Sequence, residues 1–203
     1  MIPMRWFILW FLLLLAGCSS FTTPPPKMSL LEKEKLWQQH QIELAAVNHW
    51  LIEGRLGVSA PDRSGSMSID WQQQQDKYTI YLEGPFGQSL ARIKGGAGFA
   101  SVRASDGEEV FGSSPENLLG QLTGWDFPVS SLKFWVKALP AAEGKAEISL
   151  NAQGYPERIR QQGWQIDYLN YQQKRSGLML PTRIKASNGL MRITLAVRTW
   201  QLK

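Results

Sequence analysis

At 203 residues the chain is long enough for one domain with a real core, and its 43% hydrophobic content is globular in character. A net charge of +5 is mild and dispersed; it excludes the concentrated basic footprint that nucleic-acid binding needs and leaves anionic surfaces as compatible neighbours. The single cysteine, Cys18, excludes a disulfide framework and a thiolate metal site, so stability rests on packing; of an unusual nine tryptophans, seven lie beyond Cys18 and are available to it.

The chain opens on one cation, Arg5, and an apolar run from Trp6 to Leu15. That pattern is a secretory signal, and the run is too short for a membrane span of about 20 residues. The ending Leu15-Ala16-Gly17-Cys18 resembles a bacterial lipobox. The resemblance implies that residues 1–17 are removed and that Cys18 is acylated as the first mature residue. Ser19 at the next position resembles lipoproteins sent to the outer membrane. Residues 18–29 include Pro24, Pro25 and Pro26, which rule out helix and central strand and read as a semi-rigid tether. Residues 30–203 then form the single domain.

From Leu30 to Asn48 an apolar stripe of Leu36, Trp37, Leu44 and Val47 predicts a helix, started by Glu32 and Glu34. His40 falls on that stripe without a companion carboxylate or nucleophile, so it reads as structural. At His49 the period becomes two. Strands are expected at Trp50–Val58, Met67–Trp71, Tyr78–Leu82, Leu90–Lys94 and Phe99–Arg103, with Gly84-Pro85-Phe86-Gly87 and Asp106-Gly107 as turns. Ser113 or Ser114 caps a helix with Pro115 in its first turn, ended by Gly124. Pro128 opens a second helix carrying Leu132, Trp135, Val136 and Leu139 and stopped by Pro140. Strands resume at Ala146–Leu150, Arg158–Arg160, Trp164–Tyr171, Thr182–Ala186 and Met191–Leu202, with Asn188-Gly189 as a hairpin turn. The fold class is therefore mainly β with helices (α+β): one antiparallel sheet interrupted by a helical pair.

The inventory for chemistry is thin. No glycine-rich phosphate loop, no Gly-x-Ser-x-Gly elbow and no helical histidine pair is present, and Asp106, Glu108 and Glu109 read as a solvated turn. Neither an enzyme nor a metal or other cofactor is expected.

The segment from Leu122-Thr123-Gly124 through Pro128, Ser131-Leu132 and Trp135 to Leu139-Pro140 resembles the LolB family of outer-membrane lipoprotein receptors. The resemblance continues in Gly54-Arg55-Leu56, Trp71-Gln72-Gln73, Gly84-Pro85-Phe86-Gly87, Gly163-Trp164, Tyr168, Leu180-Pro181, Arg192-Ile193 and Trp200. It implies an incomplete antiparallel β-barrel with helices covering the open side. It also implies a monomeric receptor on the periplasmic face of the outer membrane. Such a receptor accepts acylated lipoproteins from a LolA-type periplasmic carrier and releases them into outer-membrane lipid without nucleotide. The candidates to line the acyl cavity are Met67, Ile69, Trp71, Ile80, Leu82, Trp135, Trp164 and Trp200; which strand face points inward is a matter of register. Pro85, Phe86 and Gly87 are the candidate membrane-insertion loop, with Phe86 where the family usually carries leucine. Arg55, Arg92, Lys94 and Arg103 read first as cations on solvated strand faces, with a cationic rim near the barrel mouth as the alternative. The alternative is a lipid-anchored module that binds a small apolar ligand or envelope lipid in the same cavity. A scaffold without a cavity and a hydrolase follow behind.

Overall fold

The computed structural model describes residues 28–62, 64–123 and 127–203. The signal, Cys18 and the proline tether lie outside the described residues, as does the expected stop at Gly124.

Helix α1 spans Leu30–Ala45. Its first turn is closed by a capping box: the Glu32 amide donates to Ser29 Oγ at 3.3 Å and the Ser29 amide to Glu32 Oε2 at 2.8 Å. The buried stripe is Trp37, His40 and Leu44. Leu36, expected on it, is 45% exposed, because positions 37, 40 and 44 already define the face and residue 36 lies about 100° around from 37. His40 donates from Nε2 to the Met179 carbonyl at 2.9 Å, and burial holds its pKa below the usual imidazole value.

The strands are β1 His49–Ser59, β2 Ser64–Gln74, β3 Lys77–Glu83, β4 Ser89–Gly96, β5 Phe99–Ala104, β6 Glu109–Gly112, β7 Ala146–Leu150, β8 Pro156–Gln161, β9 Trp164–Gln173, β10 Met179–Ser187 and β11 Arg192–Leu202. Each expected strand is present and most are longer, because pairing draws in polar residues at the ends, as with Gln72 to Gln74 against Lys77 to Thr79. The expected turn at Asp106-Gly107 leads into the short edge strand β6, which carries too few apolar residues to be read in advance. Asn188-Gly189 sits in a four-residue loop and not a two-residue turn, since Ser187 pairs with Arg192.

All eleven strands form one antiparallel sheet in the order β6-β5-β4-β3-β2-β1-β11-β10-β9-β8-β7. The sheet is an open, incomplete barrel. Consecutive strands are neighbours throughout except β6 and β7, which lie at opposite edges. The chain between them forms helices α2 (Pro115–Thr123) and α3 (Val129–Trp135), which cover the open side. Ser114 caps α2 by accepting from the Asn117 amide at 3.2 Å, and Glu116 ties the two helices by accepting from the Ser130 amide at 2.7 Å. Helix α3 is shorter than the expected run to Pro140. It closes in a Schellman motif, with Leu139 N–H on Phe134 O (3.1 Å) and Ala138 N–H on Trp135 O (2.9 Å). The motif puts Ala138 at φ 61°, a left-handed conformation costing a non-glycine residue about 1–2 kcal/mol.

β1 and β11 join the two meanders. A bulge lies between Glu53 and Gly54. A Cβ on Gly54 would stand 2.2 Å from the Ala196 carbonyl oxygen, so only glycine lets the two backbones approach this closely.

Candidate functional site

The register settles which face is inside. Trp71 pairs with Ile80, Ile80 with Ile93 and Ile93 with Val102, giving one row across four strands. Ile69, Leu82, Ala91 and Ala104 make the next row. Met67, Leu56, Leu195 and Ile184 make a third, and Val58, Ile193, Ala186 and Ile166 a fourth. All sixteen side chains line a single cavity of about 390 Å³, roofed by Leu119 and Leu122 of α2 and by Val129, Leu132 and Trp135 of α3. Every lining residue is apolar.

A hollow of this size leaves the lining side chains without the close packing that a filled core would give them. Leu90 and Leu122 line it while remaining 37% and 48% exposed, so it opens to solvent at one end.

The other end of the same strands is built from indoles and polar groups, beside a second, polar pocket of about 270 Å³ bordered by Trp50, Gln73, Lys133 and Lys137. Below the Trp71 row, Trp50 pairs with Gln73 and Gln73 with Tyr78. Trp50 packs between Trp71 and Trp200 with tilted rings, the centroids 5.1 and 5.5 Å away. Gln73 accepts from Trp71 Nε1 at 3.1 Å and donates to the Gln75 carbonyl at 2.7 Å. Lys137, only 6% exposed, donates to the carbonyls of Leu44 (3.1 Å) and Val47 (2.9 Å), tying the C-terminal end of α1 to the segment after α3. Burial lowers its pKa to about 8.

Six expected cavity residues, Met67, Ile69, Trp71, Ile80, Leu82 and Trp135, therefore stand on the cavity wall. Trp164 and Trp200 do not. Trp164 packs on Trp135 with ring centroids 6.2 Å apart and backs the wall. Trp200 lies opposite Ile52, beside the filled end, with Nε1 donating to the Pro181 carbonyl at 2.9 Å. Both tryptophans have better partners than a void: one a ring, the other a carbonyl.

Phe86 is 95% exposed at the open end. The Gly87 amide donates to the Gly84 carbonyl at 3.0 Å, so Pro85 and Phe86 are the central residues of a β-turn. Gly87 follows at φ 77°, and no side chain is needed there to cover the turn. Gln88 closes the loop: its side-chain oxygen accepts from the Phe86 amide at 3.1 Å and its carbonyl from the Gly84 amide at 2.9 Å. The aromatic ring is thus presented on a backbone with little freedom left to lose.

The four cations lie on outer strand faces and do not gather at the rim. Arg92 pairs with Arg103 and Lys94 with Ser101, on the face opposite Ile93 and Val102 and so outside the barrel. Glu109 holds the arginines together, accepting from Arg103 Nε at 3.1 Å with Arg92 Nη2 3.9 Å away. Arg103 keeps the Glu109 carboxyl below its usual pKa. Arg55 is exposed on β1.

Gln161 escapes a reading of the sequence altogether. Buried at 3% exposure, it accepts from Trp135 Nε1 (3.1 Å) and the Ala141 amide (2.8 Å), and its amide donates to the carbonyls of Ala141, Glu143 and Gly144. It fixes the rotamer of a cavity tryptophan and the loop behind α3 together. A polar residue ending a strand carries no such signal on its own.

Residues 48–200 match the sequence model of a family described as outer membrane lipoprotein LolB. The chain belongs to the LolB family. It is 36% identical over 198 residues to the outer-membrane lipoprotein LolB of Pseudomonas fluorescens, covering 97% of this chain and 96% of that one. With the LolB of Cellvibrio japonicus it shares 39% identity over 194 residues, covering 93% and 91%. Two solved structures show the same fold at 11% identity. A domain from Vibrio parahaemolyticus described as an outer membrane lipoprotein-sorting protein superposes with a TM-score of 0.56, covering 85% of this chain and 93% of that one. A LolA superfamily protein from Nitrosomonas europaea superposes with a TM-score of 0.52, covering 84% and 93%. The open sheet and its helical cover are therefore the architecture that this LolB-family chain shares with the LolA superfamily.

Proposed function

We propose that this protein is an outer-membrane lipoprotein receptor that takes acylated lipoproteins from a LolA-type periplasmic carrier and passes them into outer-membrane lipid. The observation that supports it most directly is the cavity: sixteen apolar side chains in four rows of register, roofed by two helices and open at one end. An acyl chain gains about 0.8 kcal/mol for each methylene removed from water, so such a void is a better host than solvent and a bilayer a better one still. Transfer down that order needs no nucleotide.

In this reading Cys18 carries the lipid anchor and Phe86 touches the membrane. About 390 Å³ is near the lower end of ligand cavities, roughly 300–1,000 Å³. Several chains at once require α2 and α3 to move outward, which breaks no strand pairing. The test is a transfer assay in which a carrier loaded with an acylated lipoprotein is mixed with this protein without ATP. Movement of cargo onto this protein supports the reading. Cargo that stays on a competent carrier overturns it and favours the small-ligand module. Phe86→Glu is expected to load cargo normally and to release it into vesicles at least about tenfold more slowly, since an aromatic inserted at the interface is replaced by a charge.

A further inference from the structure

The turn that presents Phe86 has a counterpart on the same rim. The four-residue loop between β10 and β11, Asn188 to Met191, carries Leu190 at its tip with 75% of its surface exposed. This loop too is tied by an amide side chain: Asn188 Oδ1 accepts from the Leu190 amide at 3.1 Å and the Met191 amide at 2.8 Å. Ser59 pairs with both Ser64 and Arg192, so the β1–β2 and β10–β11 hairpins close the same end of the strands. The Phe86 turn closes that end between β3 and β4, beyond the pairs Ile69–Leu82 and Leu82–Ala91. It is the end at which the cavity lies; the tryptophan-filled end is the other.

We infer that Leu190 is a second membrane contact, and that Phe86 and Leu190 together seat the mouth of the cavity on a lipid surface. The inference rests on the reading that the cavity delivers acyl chains to lipid. A single inserted side chain leaves the barrel free to pivot. Two tips four strand spacings apart, on the order of 19 Å along the curved sheet, fix its attitude and hold the opening between them. The occupant is a bilayer interface. The tips are isolated apolar side chains raised on hairpins, without the continuous apolar patch a protein partner would cover. The hairpin between them, residues 59–66, carries Ser59, Asp62, Arg63, Ser64 and Ser66 and no large apolar residue, as suits a headgroup layer. Arg192 is exposed beside Leu190, where it meets lipid phosphate.

The test uses the full chain in phosphatidylethanolamine–phosphatidylglycerol vesicles. Phe86→Cys, Leu190→Cys and, on the β9–β10 turn at the opposite end, Arg175→Cys are labelled in turn with a polarity-sensitive dye, the parent chain serving as blank. Lipid spin-labelled near its carbonyl is the quencher. Labels at 86 and 190 are expected to shift to the blue and be quenched, and the label at 175 to do neither. Quenching at 86 alone overturns the second contact and leaves the proposed membrane tip standing. Quenching at neither overturns both, and equal quenching at all three positions overturns the fixed attitude. In the transfer assay Leu190→Asp is expected to slow release into vesicles about fivefold and to leave loading from the carrier unchanged. Unchanged release would remove Leu190 from the delivery step, whatever the fate of Phe86.

Discussion

The two ends of the same strands are built on opposite rules. Along β2, Met67, Ile69 and Trp71 face a void, while two residues further Gln73 is buried in hydrogen bonds. Along β11, Ile193 and Leu195 line the cavity, and Trp200 five positions beyond is packed on Trp50. Alternation holds along β2 and steps by one residue in β11, where the bulge opposite Glu53 and Gly54 brings Trp200 to the inner face; side-chain size and polar atoms differ between the ends. Aliphatic side chains of middling size leave an apolar wall uncrowded, whereas indoles with a carbonyl or amide in reach pack on one another and are fixed in place. Stability and capacity are thereby separated along one sheet.

Truncation is the strongest way to test that separation. Trp200→Ala is expected to lose about 3–5 kcal/mol in urea unfolding, because it opens the filled end and leaves the Pro181 carbonyl unpaired. Leu82→Ala, on a wall that already borders empty space, is expected to lose distinctly less. Equal losses would break the comparison.

Next comes the buried ammonium of Lys137. Its folded pKa of about 8 lies below the ordinary lysine value of 10.5, so the unfolded chain binds the extra proton between those values. Stability therefore rises with pH from about 8 to 10.5, by on the order of 1–3 kcal/mol. The neutral amine still has protons for both carbonyls. Lys137→Met should flatten that rise, which paired unfolding curves at pH 7.5 and 10 would reveal.

Filling the hollow should work in the other direction. Ala91→Phe projects a ring among Leu82, Ile93 and Ala104 and is expected to raise stability by about 1 kcal/mol. Binding of an acylated ligand, followed by fluorescence titration, should fall in the same variant. The smallest effect belongs to the rim. Phe86→Glu should change unfolding stability by less than about 0.5 kcal/mol, because the side chain touches almost nothing. A larger change would mean that the turn packs on the barrel.

Much of this was legible from residue order. The period-two runs located ten of the eleven strands, and Pro115, Pro128 and the Leu-Thr-Gly segment located the helical cover. Met67, Ile69, Trp71, Ile80 and Leu82 share a parity that register turned inward as a set. Other features depend on distant partners. Trp164 and Trp200 look like cavity residues until Trp135 and the Pro181 carbonyl are seen beside them. Leu36 turns out of the stripe that His40 keeps, because the helix buries the face that meets Met179 and Tyr155. Gln161 and Lys137 acquire their roles only through carbonyls many residues away.

The seam between β1 and β11 bears on how the sheet is assembled. β11, Arg192–Leu202, follows the other ten described strands in sequence and yet is an interior strand of the sheet. Without it the sheet falls into two separate meanders, each with a bare edge at β1 or β10, and unpaired edges of this kind invite pairing with other chains. Loss of β11 is therefore an aggregation hazard and not a slight weakening of the fold.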